Sequence, residues 1–273
     1  REGNGMVLFC QVDVTGRTED EPAAEALLLQ AIQHAAAWKP APSRKALYVC
    51  DAAGRQYLET AGVALGSYAG GALSADQVLI VGPGGGPQVA KSAAAVGTWL
   101  KSGGYVLAIG LDEAGANAFL PFRVTMKKEE HIATFFEPFQ AGSLLEGISP
   151  GDLASRDPRE TPLVSGGASV VGNGALAIGQ NANVVFCQLV PWEFGWQKPL
   201  RSADAPPLMN LKRTYRRASV LMARLLGNMG VAGSTPVLER FGKPAQAGEK
   251  RWIDGLYLDQ PEEWDDPYRF FRW

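Results

Sequence analysis

Three runs constrain the fold of this chain more than anything else in it: KALYVCD (Lys45–Asp51), DQVLIVGP (Asp76–Pro83) and YVLAIGL (Tyr105–Leu111). Each is apolar, rich in β-branched or aromatic residues, too short for a core helix and bounded by turn residues, the signature of a buried strand. Helical patterning fills the gaps, in RQYLETAGV (Arg55–Val63) and in PQVAKSAAAVGTWLKSGG (Pro87–Gly104), which closes on glycine. DEAGANAFL (Asp112–Leu120) then opens with acidic residues, which belong at the positive end of a helix dipole. A fourth run, NVVFCQLVP (Asn183–Pro191), leads to the amphipathic stretch LKRTYRRASVLMARLLGNMGV (Leu211–Val231). Strands without polar alternation are buried on both faces, so strands alternating with helices predict a mostly parallel sheet covered on both sides. Between residues 121 and 183 the pattern loosens into turn-rich pieces, which predict a few short strands and a surface insertion.

The start of the chain repeats part of this pattern. VLFCQV at Val7–Val12 recurs as VVFCQL at Val184–Leu189, and a long helical stretch follows each copy. Gly5–Val14 reads as a buried strand. Thr18–Trp38 reads as a helix with Pro22 in its first turn and an apolar face of Leu27, Leu28, Ala31, Ile32 and Ala35. KPAPSRK (Lys39–Lys45) is a proline-punctuated linker. The expected division is therefore residues 1–40 as the closing strand and helix of a preceding α/β domain, 41–233 as the main domain, and 234–273 as an aromatic tail. A strand and helix without the rest of their sheet expose backbone edges and an apolar face. Residues 1–38 are thus expected to pair with a separate upstream chain or to extend the main sheet. A single domain in which they supply an ordinary edge strand is the simpler alternative. An upstream portion of the same precursor or another subunit is the expected partner, in a homo- or hetero-oligomer.

Charge narrows the functional classes. Lys+Arg total 26 against 28 Asp+Glu, a net charge of −2, which gives no electrostatic case for nucleic acid or an anionic membrane. The basic run LKRTYRR (Leu211–Arg217) reads as the wet face of a helix. No apolar stretch approaches the roughly 20 residues that span a bilayer. Cys10, Cys50 and Cys187 each sit in or at the end of an apolar run, where a thiol behaves as a small hydrophobe. With only His34 and His131 beside them, their spacing matches no metal site. Neither a metal nor a cofactor is expected.

QVLIVGPGGG, LKSGGYVLAIGLDE and VVFCQLVPWE together resemble the class I glutamine amidotransferase-like superfamily. The likeness is strongest to its non-catalytic members in bacterial glycoside hydrolases, the trimerisation-type domains of β-galactosidases and related sugar-binding modules. It covers about residues 41–233 and implies a flavodoxin-like, doubly wound sheet. The C-terminal GLYLDQPEEWDDPYRFFRW is similar to the end of large glycoside hydrolases from environmental bacteria. Active amidotransferases carry a nucleophile in Gly-x-Cys-x-Gly, on a strained turn that exposes the thiol. The matching stretch here is AIGLD, centred on Gly110. The family's Gln-x-His-Pro-Glu becomes QLVPW, so Val190 stands for the histidine and Trp192 for the glutamate, with Glu193 one residue late. All three catalytic positions are vacant, and glutaminase activity is not expected.

Other chemistry has fewer footholds. GPGGGP (Gly82–Pro87) follows a strand and opens a helix, so amides at Gly84, Gly85 and Gly86 are candidates to hold an anion, although an inherited tight turn explains them as well. The loop departs from the dinucleotide fingerprint at Pro87 and lacks the Lys-Ser/Thr of a phosphate loop. A glycosidase needs two carboxylates roughly 5–10 Å apart. Candidates at strand ends are Asp13, Asp51, Asp112, Glu113 and Glu193, of which Asp112 and Glu113 also suit a helix start. Candidate carbohydrate-binding residues are Trp192, Glu193, Trp196, Trp252, Tyr257, Trp264 and Tyr268; the tail's aromatics serve equally as anchors for docking onto another surface. The main expectation is a non-catalytic scaffold and assembly region at the C-terminal end of a large bacterial glycoside hydrolase. The alternatives are a carbohydrate-binding module and a stand-alone sugar-processing enzyme of the trehalose-utilisation type. Such a parent enzyme implies a periplasmic or extracellular location.

Overall fold

The computed structural model describes residues 8, 10, 12–39, 43–156, 159–179, 181, 183–194 and 205–231, with residues 205–210, 212, 213 and 216 described by backbone alone. The parallel core consists of β1 (Lys45–Val49), β2 (Leu65–Ser67), β3 (Gln77–Val81), β4 (Tyr105–Ile109) and β9 (Val184–Cys187). Two short antiparallel strands, β7 (Ser169–Val171) and β8 (Leu176–Ile178), extend the sheet beyond β9. The order across it is β2-β1-β3-β4-β9-β8-β7. A separate antiparallel pair, β5 (Thr125–His131) and β6 (Arg159–Gly166), forms the predicted insertion.

Strand pleating sorts the side chains into two cores. Ala46, Tyr48, Val78, Ile80, Leu107, Ile109, Val185 and Cys187 face one side, where α2 (Ala52–Thr60), α6 (Pro150–Leu153) and α7 (Ala205–Asn228) contribute Leu58, Leu153, Leu221 and Leu225. Val49, Leu79, Val81, Val106, Ala108, Val184 and Phe186 face the other, against α3 (Gly86–Val89), α4 (Ala93–Lys101) and α5 (Glu113–Asn117). The strands carry no polar alternation because both of their faces are covered, each fully buried aliphatic side chain contributing about 1.5–3 kcal/mol. The protein is therefore an α/β fold with a mostly parallel, seven-stranded mixed sheet and helices on both sides.

Several boundaries differ from the sequence expectation. The helix expected over Arg55–Val63 begins earlier, at Ala52, because the Asp51 carboxylate accepts from the Gly54 amide at 2.8 Å and caps it. Strand β2, three residues long and only half-buried, had no signal strong enough to be expected. The helix expected over Pro87–Gly104 is broken by a tight turn at Ala90–Ser92 into α3 and α4.

The N-terminal segment departs furthest. Helix α1 (Pro22–Ala37) forms within the expected span Thr18–Trp38, beginning four residues later with Pro22 in its first turn. The buried strand expected over Gly5–Val14 does not appear among its described residues: Leu8 is 49% and Val12 61% exposed, and Cys10 is exposed as well. None of the described residues before Lys45 joins the sheet. A strand exists only through hydrogen bonds to a neighbour, which apolar composition cannot supply.

Candidate functional site

Strand order fixes where a site would lie. The chain leaves β1 towards β2 on one side and proceeds from β3 through β4 to β9 on the other, so β1 and β3 flank the point where the winding reverses. Crevices in open parallel sheets form there, beyond the carboxyl ends of the strands. This edge carries Cys50, Asp51, the Gly82–Gly86 loop, Gly110, Asp112 and the Val190–Glu193 turn.

Cys50 follows β1 with φ at 142°, a conformation L-residues rarely adopt, and its thiol donates to the Pro83 carbonyl oxygen. Partial burial and the neighbouring Asp51 charge raise its pKa, so the thiol is the favoured form. The adjoining glycine loop is a packing device. The Gly85 amide donates to the Gly82 carbonyl at 2.9 Å. A Cβ at Gly85 would lie 2.9 Å from the Val49 carbonyl oxygen, and one at Gly86 would lie 2.1 Å from that of Gly115. The loop must be glycine so that α3 can approach β1 and α5, whatever else its amides do.

Gly110 follows β4 in the left-handed region, φ 57°, with its amide donating to the Cys187 carbonyl at 2.8 Å. A Cβ there would meet Val190 Cγ2 at 2.3 Å and Pro83 Cγ at 3.1 Å. Two of the three positions singled out in the sequence are therefore neighbours. Trp192, the third, sits one turn on and is half-buried. Its ring lies 5.5 Å from that of Tyr57, and a Cβ on Gly54 would touch it at 2.9 Å.

The strand-end carboxylates have assigned partners. Asp51 caps α2 and also accepts from the Tyr48 hydroxyl at 3.1 Å. Asp112 caps α5 through the Gly115 amide at 2.7 Å, and Glu113 Oε2 accepts from the Met126 amide at 2.8 Å. Asp13 pairs with Arg17 at 3.2 Å on the exposed N-terminal segment and follows no described strand. Glu193 has the least settled carboxylate. Partial desolvation raises its pKa, Arg159 pulls it back down, and the Asp51 charge raises it further. Arg159 also donates to the Glu193 carbonyl at 3.0 Å and lies over the Phe194 ring, 4.7 Å from its centroid.

Tyr48, Tyr57 and Arg159 belong to this edge, and the sequence reading passed over all three. Tyr48 carried a faint signal, a hydroxyl in an otherwise apolar strand, which needs a partner once buried. Arg159 carried none, since it comes from a turn-rich segment far away in sequence. Trp196, Trp252, Tyr257, Trp264 and Tyr268 lie outside the described residues, as does the tail expected to dock.

Among the described residues no group of three or more His, Cys, Asp or Glu side chains could hold a metal. His131 is buried, its ring nitrogens 3.0 Å from Asn173 Oδ1 and 2.7 Å from the Leu153 carbonyl oxygen. Burial pushes the Cys187 thiol up to about 12, which keeps it protonated. No helix among the described residues is long and apolar enough to cross a membrane. Comparison with protein-family models and with curated proteins finds no match to either.

Proposed function

We propose that this chain is a non-catalytic scaffold and assembly region of the amidotransferase-like type, at the C-terminal end of a large bacterial glycoside hydrolase. The order β2-β1-β3-β4-β9 supports the flavodoxin-like part of this reading, since it corresponds to the 2-1-3-4-5 order of that fold. The observation that carries the non-catalytic part is the turn after β4. Gly110 keeps the left-handed backbone of a nucleophile elbow, yet the space a nucleophile's Cβ would need is taken by Val190. An elbow without a side chain, closed by an aliphatic neighbour, retains the fold's geometry and loses its chemistry. The partner is the upstream part of the same precursor or another subunit, which on this reading holds the catalytic carboxylates.

Turnover by the purified 273-residue chain tests this directly. Aryl glycosides and glutamine are expected to hydrolyse no faster than in buffer. Hydrolysis of an aryl glycoside at about 1 s⁻¹ or more, within the ordinary range of enzymes, would overturn the reading.

A further inference from the structure

Helix α1 has no buried residue, and Leu28, Leu29 and Ile32 are 38%, 49% and 56% exposed. A 16-residue helix is only marginally stable in water by itself, and most helices in proteins hold their shape by burying an apolar face. The same chain contains the solution to that problem once already. In α7 and the residue that follows it, Ala218, Leu221, Met222, Leu225, Leu226 and Met229 are buried in one core with Leu107 and Ile109 of β4 and Val185 and Cys187 of β9. When ASVLMARLLGNM (218–229) is laid over AEALLLQAIQHA (24–35), these six positions meet Ala24, Leu27, Leu28, Ala31, Ile32 and Ala35. Each of these six positions meets an apolar residue, while the buried Ser219 meets Glu25, and Arg224 and Asn228 meet Gln30 and His34. The hexad VLFCQV before α1 likewise matches in sequence VVFCQL, which holds β9.

We infer that the apolar face of α1 docks on the open face of a parallel β-sheet supplied by a separate stretch of polypeptide, as α7 docks on β4 and β9. The chain's own sheet is not the occupant, because α7 already covers one face and α3, α4 and α5 the other. A second copy is excluded as sheet donor for the same reason. The face also says something about its seat. Ala31 and Ala35 stand where α7 has Leu225 and Met229, so the partner sheet approaches more closely there or carries bulkier side chains. This deepens the assembly reading and rests on it for the existence of a partner, but not for that partner's activity.

The test joins two measurements. Native material is treated with a lysine-reactive cross-linker and the peptides joined to Lys39, just beyond α1, are sequenced. The purified chain and its Leu28→Glu/Ile32→Glu variant are compared by sedimentation, thermal unfolding and amide exchange. The expected results are a monomeric chain, fast exchange over 22–37, one unfolding temperature for both proteins, and Lys39 joined to a segment with its own strand–helix alternation. Three results would overturn the inference: a lower unfolding temperature in the variant with protected α1 amides in the parent, a dimer that the variant dissolves, or cross-links confined to residues 43–231. A partner sheet from a polypeptide without glycosidase activity would leave the inference standing and remove the glycoside hydrolase from the proposed function.

Discussion

At Gly110 the room for a side chain is already occupied. Any Cβ there meets Val190 Cγ2 at 2.3 Å, and the backbone sits at φ 57°. The left-handed conformation costs a non-glycine residue about 1–2 kcal/mol, and overfilling a packed site about 1–3 kcal/mol more. Gly110→Ala is therefore expected to lower the urea-unfolding free energy by about 2–5 kcal/mol, the sum of those terms, with part regained when Val190→Ala is added. Glu193 responds to pH instead. Its carboxyl pKa is raised above 4.5 in the folded chain, chiefly by desolvation, so the folded state holds this proton more tightly than the unfolded one. Stability from this group is therefore full below about pH 4.5 and declines as pH rises through the folded value. Glu193→Gln is expected to match the parent at acidic pH and to be the more stable protein at pH 7, as read from unfolding midpoints across that range. Equal midpoints at pH 7 would show that Arg159 offsets the desolvation fully.

Among elements, α2 and α5 make a matched pair, each started by an aspartate whose carboxylate accepts from the amide three residues on. Asp112→Ala removes a cap and is expected to cost about 1 kcal/mol. Asp51→Ala removes a cap and also strands the hydroxyl of Tyr48, a residue only 3% exposed. Leaving that group without a partner adds about 1–3 kcal/mol, so Asp51→Ala is expected to cost about 2–4 kcal/mol. Asp51→Asn, which can still cap, should recover at least half. Equal losses at the two sites in urea unfolding would show that water satisfies the Tyr48 hydroxyl. Both aspartates looked like candidates for chemistry in the sequence, since a carboxylate after a strand is the same letter whether it caps a helix or waits for a ligand. Only their hydrogen-bond partners separate the two roles.

At the scale of the whole molecule, what could be read ahead was what local pattern encodes. The runs Lys45–Val49, Gln77–Val81, Tyr105–Ile109 and Val184–Cys187 announced their burial on both faces by composition alone, and with it a helix-covered parallel sheet. Pro22 and Asp112 mark helix starts through backbone chemistry that needs no distant partner, and Asp51 does the same for α2, a start the sequence reading placed later, at Arg55. The strand expected before α1 does not appear among the described residues for the opposite reason: a strand is a relation between two segments, and Leu8, Cys10 and Val12, though apolar, belong to no described strand. Strand β2 was missed because pairing with β1, not its own three residues, makes it a strand. The same division holds at the candidate site. That Gly110 carries no side chain is a property of the sequence, whereas the closure of that position by Val190 and the joining of Arg159 to Glu193 bring together residues from different elements. Sequence by itself determined which strands of the main sheet are buried and that helices begin near Pro22 and Asp112, because hydrophobicity and capping act within a few residues. Tertiary structure decided strand order, the partners of Glu113 and Glu193 and which helix stays uncovered among the described residues, because those depend on contacts between segments further apart in the chain.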